Sequence, residues 1–554
     1  MRTPALALAA AFALASPAAA KAAAADLVIW GGPIYTAVDA HPKVEAVAVR
    51  HGRISFAGSR AGAKALVGGK TRVIDLHGAA LFPGFTDSHA HLREIGDREL
   101  QLNLEGSKSA AEAMARLKAY LAEHKPSGLV YGRGWIETGW PEGRFLNRQD
   151  IDAIAPEQPV ILQRADGHAM TANSAALKAA HIDETTPAPS GGQILKGPDG
   201  KLTGMLVDNA MNLLAPIRHE PGREARITAF KAGMKVETEY GWTGVHSMSV
   251  DMADVPLLEE LDAKGQTPLR IYNAVDAQGA APLFASGPRA TKDGRITTRA
   301  IKLYMDGALG SRGAVLFQPY SDAPTITGTF LMDPAFMRSS MAKALNSGIQ
   351  VSTHAIGDRG NATTLDMYEQ AFKANPAKGA AARWRIEHSQ IIRPADIPRF
   401  AADHVIASMQ PSHAIGDLHF APARLGKDRL KGAYAWQSLL KSGAVVVGGS
   451  DAPVERGAPL IEFYAAVARK DLGGFSNADW HPEEALSRAQ ALKLFTASAA
   501  YARFAEKDLG TISVGKRADL SGFSIDLMTA PEAAIPKGHA VLTVVDGQVV
   551  FEGK

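Results

Sequence analysis

Histidines, carboxylates and one lysine recur in this chain at the ends of apolar runs. In the stretch 80–91, ALFPGFTDSHAH, His89 and His91 are separated by one residue. Alternate residues of a strand project to the same side, so the two imidazoles converge and could hold a divalent ion such as zinc. The H-x-H pair is a weak signal alone; after a buried strand and a Pro83-Gly84 turn it gains weight. His354 closes the run IQVSTH, His388 closes WRIEH, and Asp451 closes VVVGGSD. One such residue is usually a satisfied core or loop group. Their recurrence at successive strand ends points to a shared site. Lys302 lies inside AIKLYMDG, flanked by apolar residues, and should point inward. A lone buried ammonium is costly unless paired or neutralised. Two outcomes stand open here: a salt bridge to Asp306, or a neutral amine that takes up carbon dioxide as a carbamate able to bridge two cations.

Strands must present these groups together. The runs RAIKLYMDG, GIQVSTHAIG, RWRIEHSQ, HVIASMQPS and AVVVGGSDA alternate with alanine- and leucine-rich helical stretches such as PAFMRSSMAKALN and ATTLDMYEQAFK. That alternation predicts an α/β fold with a parallel sheet. Polar residues at strand C-terminal ends favour its closure into a (β/α)₈ TIM barrel. Short strands divided by glycine turns open the chain (DLVIWGGPIYT, EAVAVRHGRISFAG, TRVIDLHGAALFPG) and close it (GTISVGKRADLSGFSID, AVLTVVDGQVVFEGK), the last pair joined by an Asp546-Gly547 turn. Each group is too small for its own core, so the two ends should pair into one composite β-sandwich, residues 25–83 with 505–554. The barrel then occupies residues 84–504.

Composition sets the remaining bounds. The chain has 554 residues, 46% hydrophobic and 21% charged, and a formal net charge of +3, as in a globular protein of more than one domain. No lysine- and arginine-rich run offers a nucleic-acid footprint. A small-molecule partner is expected, and no nucleic acid; a homo-oligomer is left open. There are no cysteines, so any metal must take nitrogen and oxygen ligands. Residues 1–20, MRTPALALAAAFALASPAAA, carry an early arginine, an apolar run and a small-residue end, the pattern of a signal peptide. No later segment is apolar enough to span a membrane, so a periplasmic or secreted location is expected.

The stretches PGFTDSHAHL, DGHAMTANSAAL, GWTGVHSM, IKLYMDGALGSRGA, STHAIGDRGNATTLDMYE, RIEHSQII, GSDAPVE and GTISVGKRADL resemble the metal-dependent amidohydrolase superfamily, in particular its YtcJ-like branch. They run in family order over nearly the whole chain after the leader. The resemblance implies a distorted barrel with a composite sandwich, and two divalent metal ions, zinc in the simplest case. His89, His91 and Asp451 would bind one ion, His354 and His388 the other, and a carboxylated Lys302 would bridge them. Asp451 would also serve as the proton-transfer residue for a metal-bridging hydroxide. The implied reaction is hydrolysis of an amide C–N bond in an N-acyl or N-formyl small molecule. An esterase, a lactonase or a mononuclear deaminase-type hydrolase on the same barrel is the alternative. A non-catalytic periplasmic binding protein would be marked by lost ligands, and all six are present.

From His91 to Lys302 is 211 residues, far more than three strand–helix units of roughly 30 residues need. The surplus should form an insertion over the barrel mouth, at about 95–215, carrying Trp135, Trp140 and His168. His168 lies in a stretch that matches the family and is a candidate substrate contact. The two tryptophans would either wall an apolar substrate pocket or pack in the insertion's own core. Arg312 and His413 are candidates for orienting substrate, with surface or supporting roles as the alternative. Two departures from the family pattern stand out: Gly313, where relatives often carry threonine, and Ser521-Gly522, which should weaken one sandwich edge. From the leader, N-terminal sequencing of protein from its native host is expected to begin just past Ala20. A cytoplasmic chain still starting at Met1 would overturn the export reading.

Overall fold

The computed structural model describes residues 23–218 and 221–553; the leader expected over residues 1–20 lies outside them. Eight parallel strands succeed one another in chain order: Phe85–Ala90, Trp242–Val250, Arg270–Asp276, Ile296–Tyr304, Gln350–Ala355, Arg385–His388, Ile406–Met409 and Val446–Gly448. Helices such as Arg223–Tyr240, Pro334–Ser347 and Asp358–Ala374 cover them outside. Strands covered on both faces read as nearly continuous apolar runs, which is why the segments around Lys302, His354 and Asp451 looked as they did. A backbone ladder joins each strand to the next but is missing between the eighth and the first. There the seam is closed by Asp87. Its carboxylate accepts the amide of Ser450 at 2.9 Å, the Ser450 hydroxyl, and the amide of His89 at 3.0 Å. Two backbone bonds complete the closure, Asp451 N to His89 O at 2.6 Å and His91 N to Ala452 O at 2.8 Å. Gly449 permits the approach: a Cβ there would lie 2.4 Å from the His89 nitrogen.

The two chain ends meet in a single sheet of eight strands that runs without a break from one end's strands to the other's. The junction is Ala80–Pro83, antiparallel to Leu520–Phe523 with Leu81 opposite Gly522. Leu27, Ile29, Val47, Leu520 and Leu542 bury one face, and Val28, Ala46 and Ala48 the other. Ser521-Gly522 does not weaken an edge, because Leu520–Phe523 is an interior strand flanked by Ala80–Pro83 and Ala540–Val545. Ser521 is fully buried; its Oγ accepts the Phe85 amide at 2.9 Å and donates to Gly241 O at 2.7 Å. The hydroxyl thus ties this sheet to the start of the first barrel strand, a task no apolar side chain could perform.

Between the first and second barrel strands the chain builds a separate six-stranded sheet, from Leu102–Asn103 to Leu202–Asp208. Its own core holds Trp135 and Trp140, whose indole nitrogens donate to Leu162 O and Ser107 O. Among the described residues no helix is long and apolar enough to cross a membrane.

Replacing Asp87 by alanine would leave two buried amides unpaired at the seam, each worth roughly 1–3 kcal/mol. Asp87→Ala should therefore lower the unfolding free energy by about 2–6 kcal/mol in denaturant titration, and a change under about 0.5 kcal/mol would show the seam is held otherwise.

Candidate active site

His89 ends the first barrel strand and is fully buried. Its Nδ1 lies 2.6 Å from Glu387 Oε2, which accepts only and so fixes the proton on Nδ1. Nε2 is left as a lone pair, 3.3 Å from both Lys302 Nζ and Asp451 Oδ1. His91 Nε2 lies 3.2 Å from the same Asp451 oxygen. The ligand atoms of His89, His91 and Asp451 all fall within 4.8 Å of one another, and so do those of His388, His413 and Asp451. Asp451 belongs to both groups.

Strand alternation alone would turn His388 away from this centre, since Arg385 and Glu387 occupy the inward positions of RIEH. His388 and Ser389 instead take positive φ values of 72° and 44°, as Asp451 does at 60°. These left-handed residues, uncommon outside glycine, swing the side chains back over the strand ends. His388 Nδ1 donates to Gln410 Oε1 at 2.8 Å, again leaving Nε2 free. His354 stands beside the second group rather than in it. Its ring centroid is 4.5 Å from that of His388, and its Nε2 lies 3.8 Å from Asp306 Oδ1. His413 takes the place in that group that sequence reasoning gave to His354. It sits in the first turn of helix Pro411–Asp417, with Nε2 3.7 Å from Asp451 Oδ2.

Lys302 is 1% exposed. Among the described residues no carboxylate lies within ion-pairing distance of it, so the salt bridge to Asp306 does not form. Asp306 instead accepts three backbone amides, from Val315, Ile356 and Gly357 at 2.8–2.9 Å. Burial pulls the Lys302 ammonium down to about 8, which brings the neutral amine within reach at physiological pH. Burial likewise drives His354 and His388 well below the ordinary imidazole range and lowers His413. Burial opposes the charge of Asp451, but His89 and His91 hold its carboxyl well below the usual range.

These residues fit a cation. His354 Nε2, His413 Nε2 and Asp451 Oδ1 are buried and carry no hydrogen bond. Buried polar atoms are nearly always paired, and a cluster of bare nitrogen and oxygen lone pairs is what a divalent ion takes. The cluster opens into a cavity of about 450 Å³ between barrel and insertion.

The cavity wall mixes polar groups with apolar ones such as Met211, Leu331, Met332 and Phe420. Gln163, Asp166, His168 and Asp208 come from the insertion, and Asp276 and Gln278 from the barrel. Trp135 and Trp140 do not reach it; of the two places open to them, both pack in the insertion's own core. Arg312 does not line it either; its guanidinium pairs with Asp322 at 2.9 Å. His168 does line it, held at 2.7 Å by Asp208.

Sequence reasoning missed Glu387, Arg385 and Gln410. Arg385 is fully buried, pairs with Glu387 at 2.8 Å, and donates to Ser408 Oγ and Ser88 O, each at 2.6 Å. The available signal was a charged pair two residues apart in a strand otherwise built for a dry interior. Removing a partner that orients a metal-binding histidine typically costs about 10–100-fold in metal affinity. Glu387→Gln should weaken divalent-ion binding by about that factor in competitive chelator titrations, while an unchanged affinity would show that His89 needs no such support.

The sequence profile of the Amidohydrolase family matches residues 72–551. The chain is 34% identical over 536 residues to "Putative amidohydrolase YtcJ" of Bacillus subtilis (strain 168), covering 95% of this chain and 99% of that one. It is 25% identical over 542 residues to the N-substituted formamide deformylase of Arthrobacter pascens, covering 95% and 98%. Its fold is similar to the crystal structure of an uncharacterized metal-dependent hydrolase from Pyrococcus horikoshii, with TM-score 0.74, 27% identity, and 91% and 99% of the two chains covered. With the converging histidines and Asp451 at the barrel mouth, these likenesses make the chain a member of the amidohydrolase family, a metal-dependent hydrolase of carbon–nitrogen bonds.

Proposed function

We propose that the protein hydrolyses the amide bond of an N-acyl or N-formyl small molecule, using two divalent ions, zinc in the simplest case. The observation that carries this reading is Asp451, shared by two groups of converging ligand atoms. His89 and His91 would hold one ion with Asp451. His388, with His354 or His413 beside it, would hold the other. Bound there, such ions lower the pKa of water and polarise a carbonyl. Lys302, drawn toward its neutral form by burial, would add through Nζ to carbon dioxide and lose a proton, giving the anionic carbamate that bridges both. Asp451 would take the proton of the attacking water and return it to the leaving nitrogen, a transfer worth on the order of 10²–10⁴-fold.

The cavity wall suits a substrate with both polar and apolar parts. Carboxylates, amides and an imidazole line it beside Met211, Leu331, Met332 and Phe420, a mixture that can hold an acyl chain and fix its polar end. The likeness to a formamide deformylase supports the formyl end of the range. The leader pattern supports action outside the cytoplasm.

Elemental analysis of undepleted protein should find two ions per chain, and intact mass should register carbon dioxide on Lys302. One ion with an unmodified lysine would overturn the binuclear reading. A panel of N-formyl and N-acyl amines and amino acids, run beside matched esters, should release amine. Asp451→Asn should lower kcat by at least about 10²-fold. Turnover confined to esters or lactones, or full activity in Asp451→Asn, would overturn the amidase reading.

A further inference from the structure

We propose that His168, carried by the insertion, is a catalytic residue: its Nε2 hydrogen-bonds the scissile acyl group of the substrate, and Asp208 is its positioning residue. This rests on the reading that the cavity receives an acyl compound.

Two adjacent strands of the inserted sheet build the pair. Ala169–Ala172 runs antiparallel to Leu202–Asp208 with Ala169 opposite Val207, which sets residue 168 opposite residue 208. They are joined twice, by the Asp208 amide to His168 O at 2.9 Å and by His168 Nδ1 to Asp208 Oδ1 at 2.7 Å. With Nδ1 engaged, Nε2 is the ring atom left, and among the described residues nothing hydrogen-bonds to it. The ring lines the cavity, and its centroid lies 5.3 Å from that of His354. His168 is in neither group of converging ligand atoms, so it faces the proposed metal centre without belonging to it.

The surroundings are shaped for Asp208. Its backbone has φ 50° and ψ −126°, a region that non-glycine residues rarely occupy and that gathers at functional sites. On the barrel side, the loop after the fourth strand leaves space for the carboxylate at two glycines. A Cβ at Gly307 would come within 2.9 Å of both Asp208 oxygens, and one at Gly313 within 2.7 Å of Oδ2. The departure from the family pattern at Gly313 thus coincides with the seat of this carboxylate. A histidine that only braced the sheet would not need its second nitrogen turned to the cavity. The neighbouring polar groups on that wall have partners already: Arg164 is held by Glu137 and Asp166, and Gln163 by Tyr131 and Gly167 O. A carboxylate that fixes one ring nitrogen and aims the other is a recurrent way of presenting an imidazole to a substrate.

The test compares wild type with His168→Ala, His168→Gly, His168→Gln and Asp208→Asn on whichever compound of the amide and ester panel wild type turns over. His168→Ala should lose kcat by on the order of 10²-fold with metal content and melting temperature unchanged. His168→Gln should retain part of the rate, and added imidazole should partly rescue His168→Gly. Asp208→Asn should lower kcat with KM little changed, as expected of a residue that aims another. Binding of acetohydroxamate to the metal-loaded protein, followed by calorimetry, reads the same contact without turnover. Its affinity should fall at least about 10-fold in His168→Ala. A kcat within about threefold of wild type, an unchanged hydroxamate affinity, or metal loss in step with activity would overturn the proposal. A preference for esters would count against the amidase reading alone.

Discussion

The barrel is closed by a side chain where the backbone ladder stops. Asp87 spans the gap between the first and eighth strands, and the residues it touches adjoin His89 and Asp451. The interaction that completes the fold therefore also sets the spacing of the first group of ligand atoms. Burial pushes the Asp87 carboxyl up to about 7, against the amides and hydroxyl that favour its charge. The seam is a compromise between desolvation and hydrogen bonding, made in the layer directly beneath the site.

That layer is polar, and Arg385 ties much of it together. Buried ion pairs stabilise little unless their remaining donors and acceptors are satisfied. Arg385 pairs with Glu387 and also bonds Ser408, Ser88 O and His246, while Ser88 Oγ, His246 Nε2 and both Glu237 carboxylate oxygens are buried without a hydrogen bond. Burial works against the charge of Glu387, but Arg385 and His89 hold its carboxyl below the usual range. The outcome is direction: with Nδ1 of His89 and of His388 each donating to a fixed acceptor, both Nε2 atoms keep their lone pairs, that of His89 meeting Lys302 Nζ at 3.3 Å. At the cavity, His354 Nε2, His413 Nε2 and Asp451 Oδ1 are likewise buried without a hydrogen bond.

Much of this was legible in the sequence. The strand ends bearing His89, His354, His388 and Asp451 were readable because flanking apolar runs betray parallel strands. What periodicity could not show was the backbone at those ends. Positive φ at His388 and Asp451 breaks the alternation on which facing arguments rest, so the seating of His413 beside His388, with His354 to one side, was hidden. For Trp135 and Trp140 the sequence left pocket wall and insertion core equally open; an insertion large enough to form its own sheet also needs its own core, and both tryptophans went there. Ser521-Gly522 looked like a defect for the opposite reason, since a buried polar pair reads as weakness until its distant partners, Phe85 and Gly241, are known.

The bond between Ser521 and Phe85 joins residues 436 positions apart. The strand that bears His89 is thus anchored at its base by a segment synthesised 436 residues later. Until then the first barrel strand lacks this anchor, and the sheet at the barrel's foot lacks the three strands at one end of its order. Contacts of such long sequence separation carry a large loop-closure cost and slow folding. Shortening the chain from its C-terminal end would therefore remove the footing of the opposite end as well, and a nascent copy cannot assemble its metal-binding cluster piece by piece as synthesis proceeds.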